Sequence, residues 1–167
     1  MATADTTIDL RERRLRRHVP KGRALHLVDI ENLAGGSGAS PSDVDAALAG
    51  YERTVRFGAG DHRVVACGRG LVYPVADRWP GALVRVARGI DGADRLLLQA
   101  GAAGPAAARF DRVVVASGDH AFAPLVGELA RLGVDVAVVC RRGALARRLV
   151  AVAPVVRFVD DLGLAAA

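Results

Sequence analysis

The chain has few aromatic residues and few cysteines. Aromatic side chains make up 4% of the 167 residues, cysteine occurs twice, and hydrophobic residues still reach 51%. The core must therefore be built mainly from alanine, valine and leucine. Cys67 and Cys140 form no CxxC pair and no zinc-like grouping with histidine. Because free cysteine behaves as a small hydrophobic residue, we expect two reduced, partly buried thiols in a cytoplasmic protein.

Long apolar runs are also missing. No stretch reaches the roughly 18 apolar residues that a transmembrane helix needs, so we expect no membrane association. The N-terminus is rich in arginine rather than apolar, which argues against a secretory signal. The length suits one domain with a substantial core.

Positive charge is concentrated at the N-terminus. Residues 1–23 carry seven basic and three acidic side chains, a net charge of +4, whereas the remainder of the chain has a net charge of +1. We interpret residues 1–23 as a flexible basic arm and residues 24–167 as the folded domain. Arg14, Arg16 and Arg17 could bind the phosphates of a nucleic acid. The alternative is a solvated leader that only aids solubility.

Short apolar runs rich in β-branched residues alternate with helix signals along the rest of the chain. This alternation is typical of right-handed βαβ units and a parallel sheet covered on both faces. The first helix has a clear start, with Ser40 as N-cap and Pro41 in the first turn. We expect an α/β protein, a three-layer α/β/α sandwich with a central, mostly parallel sheet of Rossmann-like topology. The predicted strands are residues 24–30, 63–67, 83–87, 112–116, 134–139 and 155–159.

Two of these strands end in acidic motifs, VDIEN at Val28–Asn32 and SGDH at Ser117–His120. In open α/β sheets, ligands bind beyond the carboxyl ends of the strands, so Asp29 and Asp119 can meet in one crevice. Asp94, in the first turn of the helix after the third strand, is predicted at the same edge. Three converging carboxylates repel one another unless a cation compensates them, and Mg²⁺ or Mn²⁺ prefers oxygen ligands.

Other polar residues would support this site. Asn32 could orient a carboxylate or a water molecule, and Ser117 could donate to a carboxylate or to a phosphate. Arg141 and Arg142 follow the fifth strand at the same edge and are candidate contacts for the phosphates of a nucleic acid. Asp94 and Asp119 have an alternative explanation, because an aspartate after a strand often caps a helix or favours its dipole.

The motifs resemble a known family. VDIEN with its Gly-rich loop, GADRLLL, and RFDRVVVASGDHAFAPLVGELARLGVDVAVV are similar to the NYN domain, a branch of the PIN-like nuclease superfamily, over residues 24–162. The resemblance implies a PIN-like fold, an acidic metal-dependent site and RNA as substrate. It matches Asp29 to the first acidic residue, Asn32 to its partner, Asp94 to the middle aspartate and Asp119 to the SGD aspartate.

The sequence departs from that family at one position. Where SGDxDF is frequent, this chain has SGDHAF, so Ala121 replaces a second carboxylate. The site therefore lacks one carboxylate that a two-metal mechanism would use. Hydrolysis with one metal ion and a degenerate site that only binds both stay open. His120 is adjacent, but it could act as a base only if it faced the crevice.

These observations favour a metal-dependent ribonuclease, preferably an endonuclease, acting on single-stranded or looped RNA through Asp29, Asp94 and Asp119. The first alternative is a degenerate module that binds RNA or a protein partner without cleavage. Another α/β phosphohydrolase or nucleotide-binding protein is the second. The sequence also leaves a homodimer open.

Overall fold

A computed structural model describes residues 22–160. Six strands form one all-parallel sheet in the order β3-β2-β1-β4-β5-β6. Helices cover both faces, which confirms the expected three-layer α/β/α fold. Residues 1–21 of the predicted arm, with Arg14, Arg16 and Arg17, lie outside the part of the chain that the structure describes. The strands are β1 (Ala24–Asp29), β2 (His62–Cys67), β3 (Leu83–Val86), β4 (Arg112–Ala116), β5 (Asp135–Cys140) and β6 (Val155–Phe158).

Seven α-helices connect these strands within residues 22–160. The second has the predicted start: the Asp43 amide donates to Ser40 Oγ and the Ser40 amide donates back to the Asp43 carboxylate, a complete capping box. The helices are α1 (Ile30–Ala34), α2 (Pro41–Thr54), α3 (Val72–Arg78), α4 (Gly92–Ala100), α5 (Ala103–Ala107), α6 (Ala123–Arg131) and α7 (Arg147–Val152).

Several local details differ from the sequence prediction. Helix α1 begins where the first strand was expected to continue, because the Asp29 side chain accepts from the Asn32 amide and starts a turn. Helix α5 forms in a segment for which the sequence predicted no separate helix. It contains Pro105, which is tolerated there because the first helical turn has no use for its missing N–H. Short 3₁₀ turns at His120–Phe122 and Arg142–Ala144 precede α6 and α7.

The core has two layers, one on each side of the sheet. Leu25 and Leu27 of β1 pack with α4 to α7, whereas Val28 packs with α1 to α3 on the other face. This alternation follows from the two-residue period of a strand. Trp79 and both cysteines are buried, and neither cysteine forms a disulfide within the described chain. No helix among residues 22–160 is long and apolar enough to cross a membrane.

Candidate active site

The strand order reverses direction between the neighbouring strands β1 and β4, which predicts a crevice beyond their carboxyl ends. The chain leaves β1 towards β2 and β3 on one side and later continues from β4 to β5 and β6 on the other. Ligands of open α/β sheets bind at such a reversal, beyond the carboxyl ends of the strands. Val28 pairs with Ala116 in the register. The next residues along the two strands, Asp29 and Ser117, therefore emerge side by side at this point.

Asp29 is held by both of the predicted motifs. Its Oδ1 accepts a hydrogen bond from the Asn32 amide at 3.2 Å, and its Oδ2 accepts one from Ser117 Oγ at 3.3 Å. The residue is only 7% exposed. Burial raises the pKa of Asp29 to about 6, and repulsion from Asp94 adds to the rise, although the two hydrogen bonds oppose it. The carboxylate is thus fixed in orientation and costly to keep ionised.

Further hydrogen bonds connect the two motifs. Asn32 Oδ1 accepts from the Gly118 amide at 2.9 Å, so this side chain spans from α1 to the loop after β4. Fully buried Ser117 accepts from the Asp119 amide at 3.2 Å while it donates to Asp29. Ser117 thus donates to a carboxylate, one of the two contacts suggested for it. Asn32 contacts Asp29 only through its backbone amide, and its side chain holds the loop after β4 instead.

The three predicted aspartates line one cleft of about 250 Å³. Burial raises the pKa of Asp94, and the neighbouring charges of Asp119 and Asp91 raise it further. Because Asp94 in turn raises the pKa of Asp29, the carboxylates act on one another electrostatically. The cleft is lined by five acidic residues in all: Asp29, Glu31, Asp91, Asp94 and Asp119.

Asp119 and Asp94 each lie at the start of a helical turn and also line the cleft. Asp119 Oδ1 accepts from the Ala121 amide at 2.8 Å, which starts the turn before α6, and yet the residue lines the cleft. The same oxygen lies 3.1 Å from His120 Nδ1. Asp94 likewise occupies the first turn of α4 and faces the cleft. The sequence interpretation treated a helix-start position and a place at the cleft as alternatives, whereas each residue has both.

Two acidic residues of the cleft were not predicted as site residues. Glu31 was passed over although it lies inside the VDIEN motif, and its Oε1 accepts from the Gly68 amide at 3.2 Å. From the sequence, Asp91 is the expected N-cap of α4, with a position near the site left open. It holds the N-cap position but makes no capping hydrogen bond, and its backbone is left-handed with a φ of 56°. Non-glycine residues in this conformation are concentrated at functional sites, a signal that only the structure contains.

The donors in the cleft suit a hard divalent cation, because they are carboxylate oxygens. Within residues 22–160, no three histidine, cysteine, aspartate or glutamate side chains are arranged to hold a metal ion by themselves. Mg²⁺ does not need such a cage, since it usually keeps several waters and binds through one or two carboxylates plus substrate phosphates. The carboxylates of Asp29, Asp94 and Asp119 are therefore donors of the chemical kind that such a cation takes.

The two candidate arginines after β5 lie in different places. The Arg141 guanidinium reaches the Gly-rich loop at Gly35–Gly38. Its Nη1 lies 3.1 Å from the position that a Cβ on Gly35 would take. The next residue of that loop, Gly36, lines the acidic cleft, so Arg141 stands at its rim. The Arg142 guanidinium lies over the Phe158 ring at 4.3 Å. Arg141 is therefore the better placed of the two for a phosphate at the cleft.

Comparisons with known proteins support the fold and leave the activity open. No family model and no curated protein matches this chain. A solved structure that resembles it is that of a protein of unknown function from Vibrio parahaemolyticus RIMD 2210633, with a TM-score of 0.61 and 18% sequence identity. The match covers 87% of this chain and 98% of that one. At this identity the similarity shows a common fold.

Proposed function

We propose that the acidic cleft is the active site of a metal-dependent ribonuclease of the NYN, PIN-like type, with Asp29, Asp94 and Asp119 as its central carboxylates. The observation that carries the proposal is the convergence of these three residues, with Glu31 and Asp91, on one cleft at the switch point of the sheet. Such crowding costs free energy in a protein that has no cation to bind, and so it favours a metal site.

The raised pKa values of Asp29 and Asp94 support the same interpretation. A cation bound at the cleft would favour the ionised carboxylates, and it would supply a Lewis acid that neutralises charge on a phosphodiester. Asp29, oriented by Ser117 and the Asn32 amide, would serve as the central ligand. Arg141 at the rim would contact a phosphate of the substrate.

RNA is the proposed substrate because of the NYN resemblance and the basic N-terminal segment. A narrow cleft suits an extended or looped strand better than a duplex, whose sequence-bearing groove is closed to side chains. We also propose a cytoplasmic location, since both cysteines are buried free thiols of the kind that a reducing compartment maintains.

Cleavage of an end-labelled, structured RNA tests the function. The reactions would contain Mn²⁺, Mg²⁺ or EDTA, with the wild type and an Asp29→Asn/Asp119→Asn double variant. Asp135→Asn is the matched control, because Asp135 is exposed at the opposite, amino edge of the sheet. We expect metal-dependent cutting that the double variant loses and the control keeps. Cutting in EDTA, or by the double variant, would contradict the proposal.

A second candidate is a PIN-like module that binds RNA without cleaving it. Two observations favour it: the chain has Ala121 where the family that it resembles often has a further aspartate, and the described residues contain no ready-made cluster of three metal ligands. In the same experiment this candidate predicts RNA binding by gel shift, no cleavage with either metal, and unchanged binding by the double variant.

A further inference from the structure

A second cavity lies next to the acidic cleft. It is a groove of about 460 Å³ between the start of α6 and helix α7. We call it the apolar groove, and it is lined by His120, Ala121, Ala123, Pro124, Arg148, Ala151 and Val152. Its volume is in the range of cavities that bind small organic groups.

The apolar groove and the acidic cleft adjoin. Asp119 lines the cleft, and its chain neighbour His120 lines the groove, with 3.1 Å between Asp119 Oδ1 and His120 Nδ1. The Asp119 carboxylate of the cleft and the His120 imidazole of the groove therefore contact each other.

The two cavities have opposite chemistry. Five carboxylates line the cleft, whereas the lining of the groove has none and combines alanine, proline and valine with Arg148 and His120. The arginine is exposed on α7, and His120 is 65% exposed. A nucleotide has the matching division: its phosphate requires cations, and its base offers an apolar face with polar edges that accept hydrogen bonds from groups such as Arg148.

We propose that the apolar groove binds the nucleoside attached to the phosphate held at the acidic cleft, so that one nucleotide of the strand occupies both cavities. This inference rests on the proposed function, since it takes the cleft to be the phosphate site. Ala121 acquires a role in this arrangement. An aspartate at this position would add a carboxylate to the groove, whereas alanine keeps the wall apolar for a base.

Nucleotide binding tests the inference without requiring cleavage. The ligands are AMP, GMP, CMP and UMP, with ribose 5-phosphate as the baseless reference, titrated in Mn²⁺ and followed by calorimetry. Ala151→Trp fills the groove from the exposed face of α7. Ala108→Trp, an exposed alanine after α5 and before β4, is the matched control.

For the wild type and the control, we expect at least one nucleoside monophosphate to bind about tenfold more tightly than ribose 5-phosphate. Ala151→Trp should lose that preference and bind ribose 5-phosphate as the wild type does. Equal binding of nucleotides and ribose 5-phosphate by the wild type would overturn the inference. Unchanged nucleotide preference in Ala151→Trp would overturn it as well.

RNA cleavage separates this inference from the proposed function. Base-selective nucleotide binding that Ala151→Trp abolishes, in a protein that cuts no RNA, would leave the groove assignment standing and remove the nuclease. Metal-dependent RNA cleavage that Ala151→Trp leaves unchanged, with no base-selective nucleotide binding, would leave the nuclease standing and remove the groove assignment. If Ala151→Trp converts a dimer to a monomer on size exclusion while nucleotide binding stays intact, the groove is an interface between copies, and the inference fails.

Discussion

Ser117 donates a hydrogen bond to Asp29 Oδ2 at 3.3 Å although 88 positions separate the two residues in the chain. The bond joins the carboxyl ends of β1 and β4, the two strands that flank the switch point. Because Ser117 is fully buried and also accepts from the Asp119 amide, one hydroxyl holds the carboxylate of Asp29 and the backbone of Asp119.

Replacement of this serine should therefore affect the site more than the fold. We expect Ser117→Ala to reduce metal affinity and cleavage about 10- to 100-fold, as is typical when a group that orients a ligand is lost. The measurement is the Mn²⁺ dependence of the cleavage rate. Ser42→Ala, on the exposed start of α2, is the control and should behave as wild type. Equal rates for all three proteins would show that Asp29 needs no such orientation.

Asp29 should make the protein less stable as pH rises. Its pKa of about 6 in the folded protein lies above the ordinary aspartate value of 3.8, so the folded state binds this proton more tightly than the unfolded state does. Stability from this group is therefore present at acid pH and is lost as pH rises from about 4 to about 6, by about 2–3 kcal/mol.

The difference between wild type and Asp29→Asn isolates this effect from the other carboxyl groups. Urea unfolding at pH 4 and pH 7, without divalent metal, should show the variant gaining stability relative to wild type at the higher pH. A constant difference across that range would mean that the pKa of Asp29 is not raised.

Gly118 permits a close approach of two loops. A Cβ at this position would collide with the carbonyl group of Ala144, and the Gly118 carbonyl accepts from the Ala146 amide at 2.9 Å. We expect Gly118→Ala to lower the free energy of unfolding by about 1–3 kcal/mol, as overpacking does, and to impair cleavage. Gly143→Ala is a matched control, because its Cβ would meet nothing within 4 Å among the described residues. Equal stability of the two variants in urea would contradict this packing.

Much of the framework could be predicted from the sequence because the responsible signals are local. Buried parallel strands form apolar runs, and the predicted β4 has the observed bounds of Arg112–Ala116. The Ser40 N-cap could be predicted because Ser-Pro directly precedes a helical pattern, and the structure confirms it. Asp29 and Asp119 were predicted to share a crevice because parallel strands end at one edge of the sheet.

Features that depend on distant partners could not be predicted in this way. Glu31 joins the cleft while it contacts Gly68, and the left-handed conformation of Asp91 has no signature in its sequence neighbourhood. The apolar groove exists only because α7 packs beside α6. His26 is a further case. Within an apolar strand it appeared unremarkable, yet it bonds to Tyr51 and Asp61, 25 and 35 positions away.

The buried network around His26 should support stability rather than activity. Asp61 accepts from His26 Nε2 at 3.0 Å and from the amides of Gly58 and Ala24 at 2.7 and 2.8 Å. Burial opposes ionisation, but these bonds prevail and lower the pKa of Asp61.

We expect Asp61→Asn to lower the free energy of unfolding by about 3 kcal/mol, because it leaves a buried partner uncompensated. The RNA cleavage rate of the folded fraction should stay at the wild-type value, since Asp61 precedes β2 at the amino edge of the sheet. The measurement pairs urea unfolding with cleavage assays at a temperature where the variant is folded. A loss of cleavage without a loss of stability would assign this network to the active site instead.

A divalent cation should stabilise the fold through the same carboxylates that would use it in catalysis. At a Mn²⁺ concentration of about 100 times the dissociation constant, binding adds about 2.7 kcal/mol, which raises the Tm by roughly 5–10 °C in a chain of this size. The rise should be smaller at pH 5 than at pH 7, because protons compete for Asp29 near its pKa of about 6. Mn²⁺ should not raise the Tm of the Asp29→Asn/Asp119→Asn variant, and it should raise the Tm of Asp135→Asn as much as that of the wild type. If Mn²⁺ shifted the double variant as far as the wild type, the cation would bind outside the cleft.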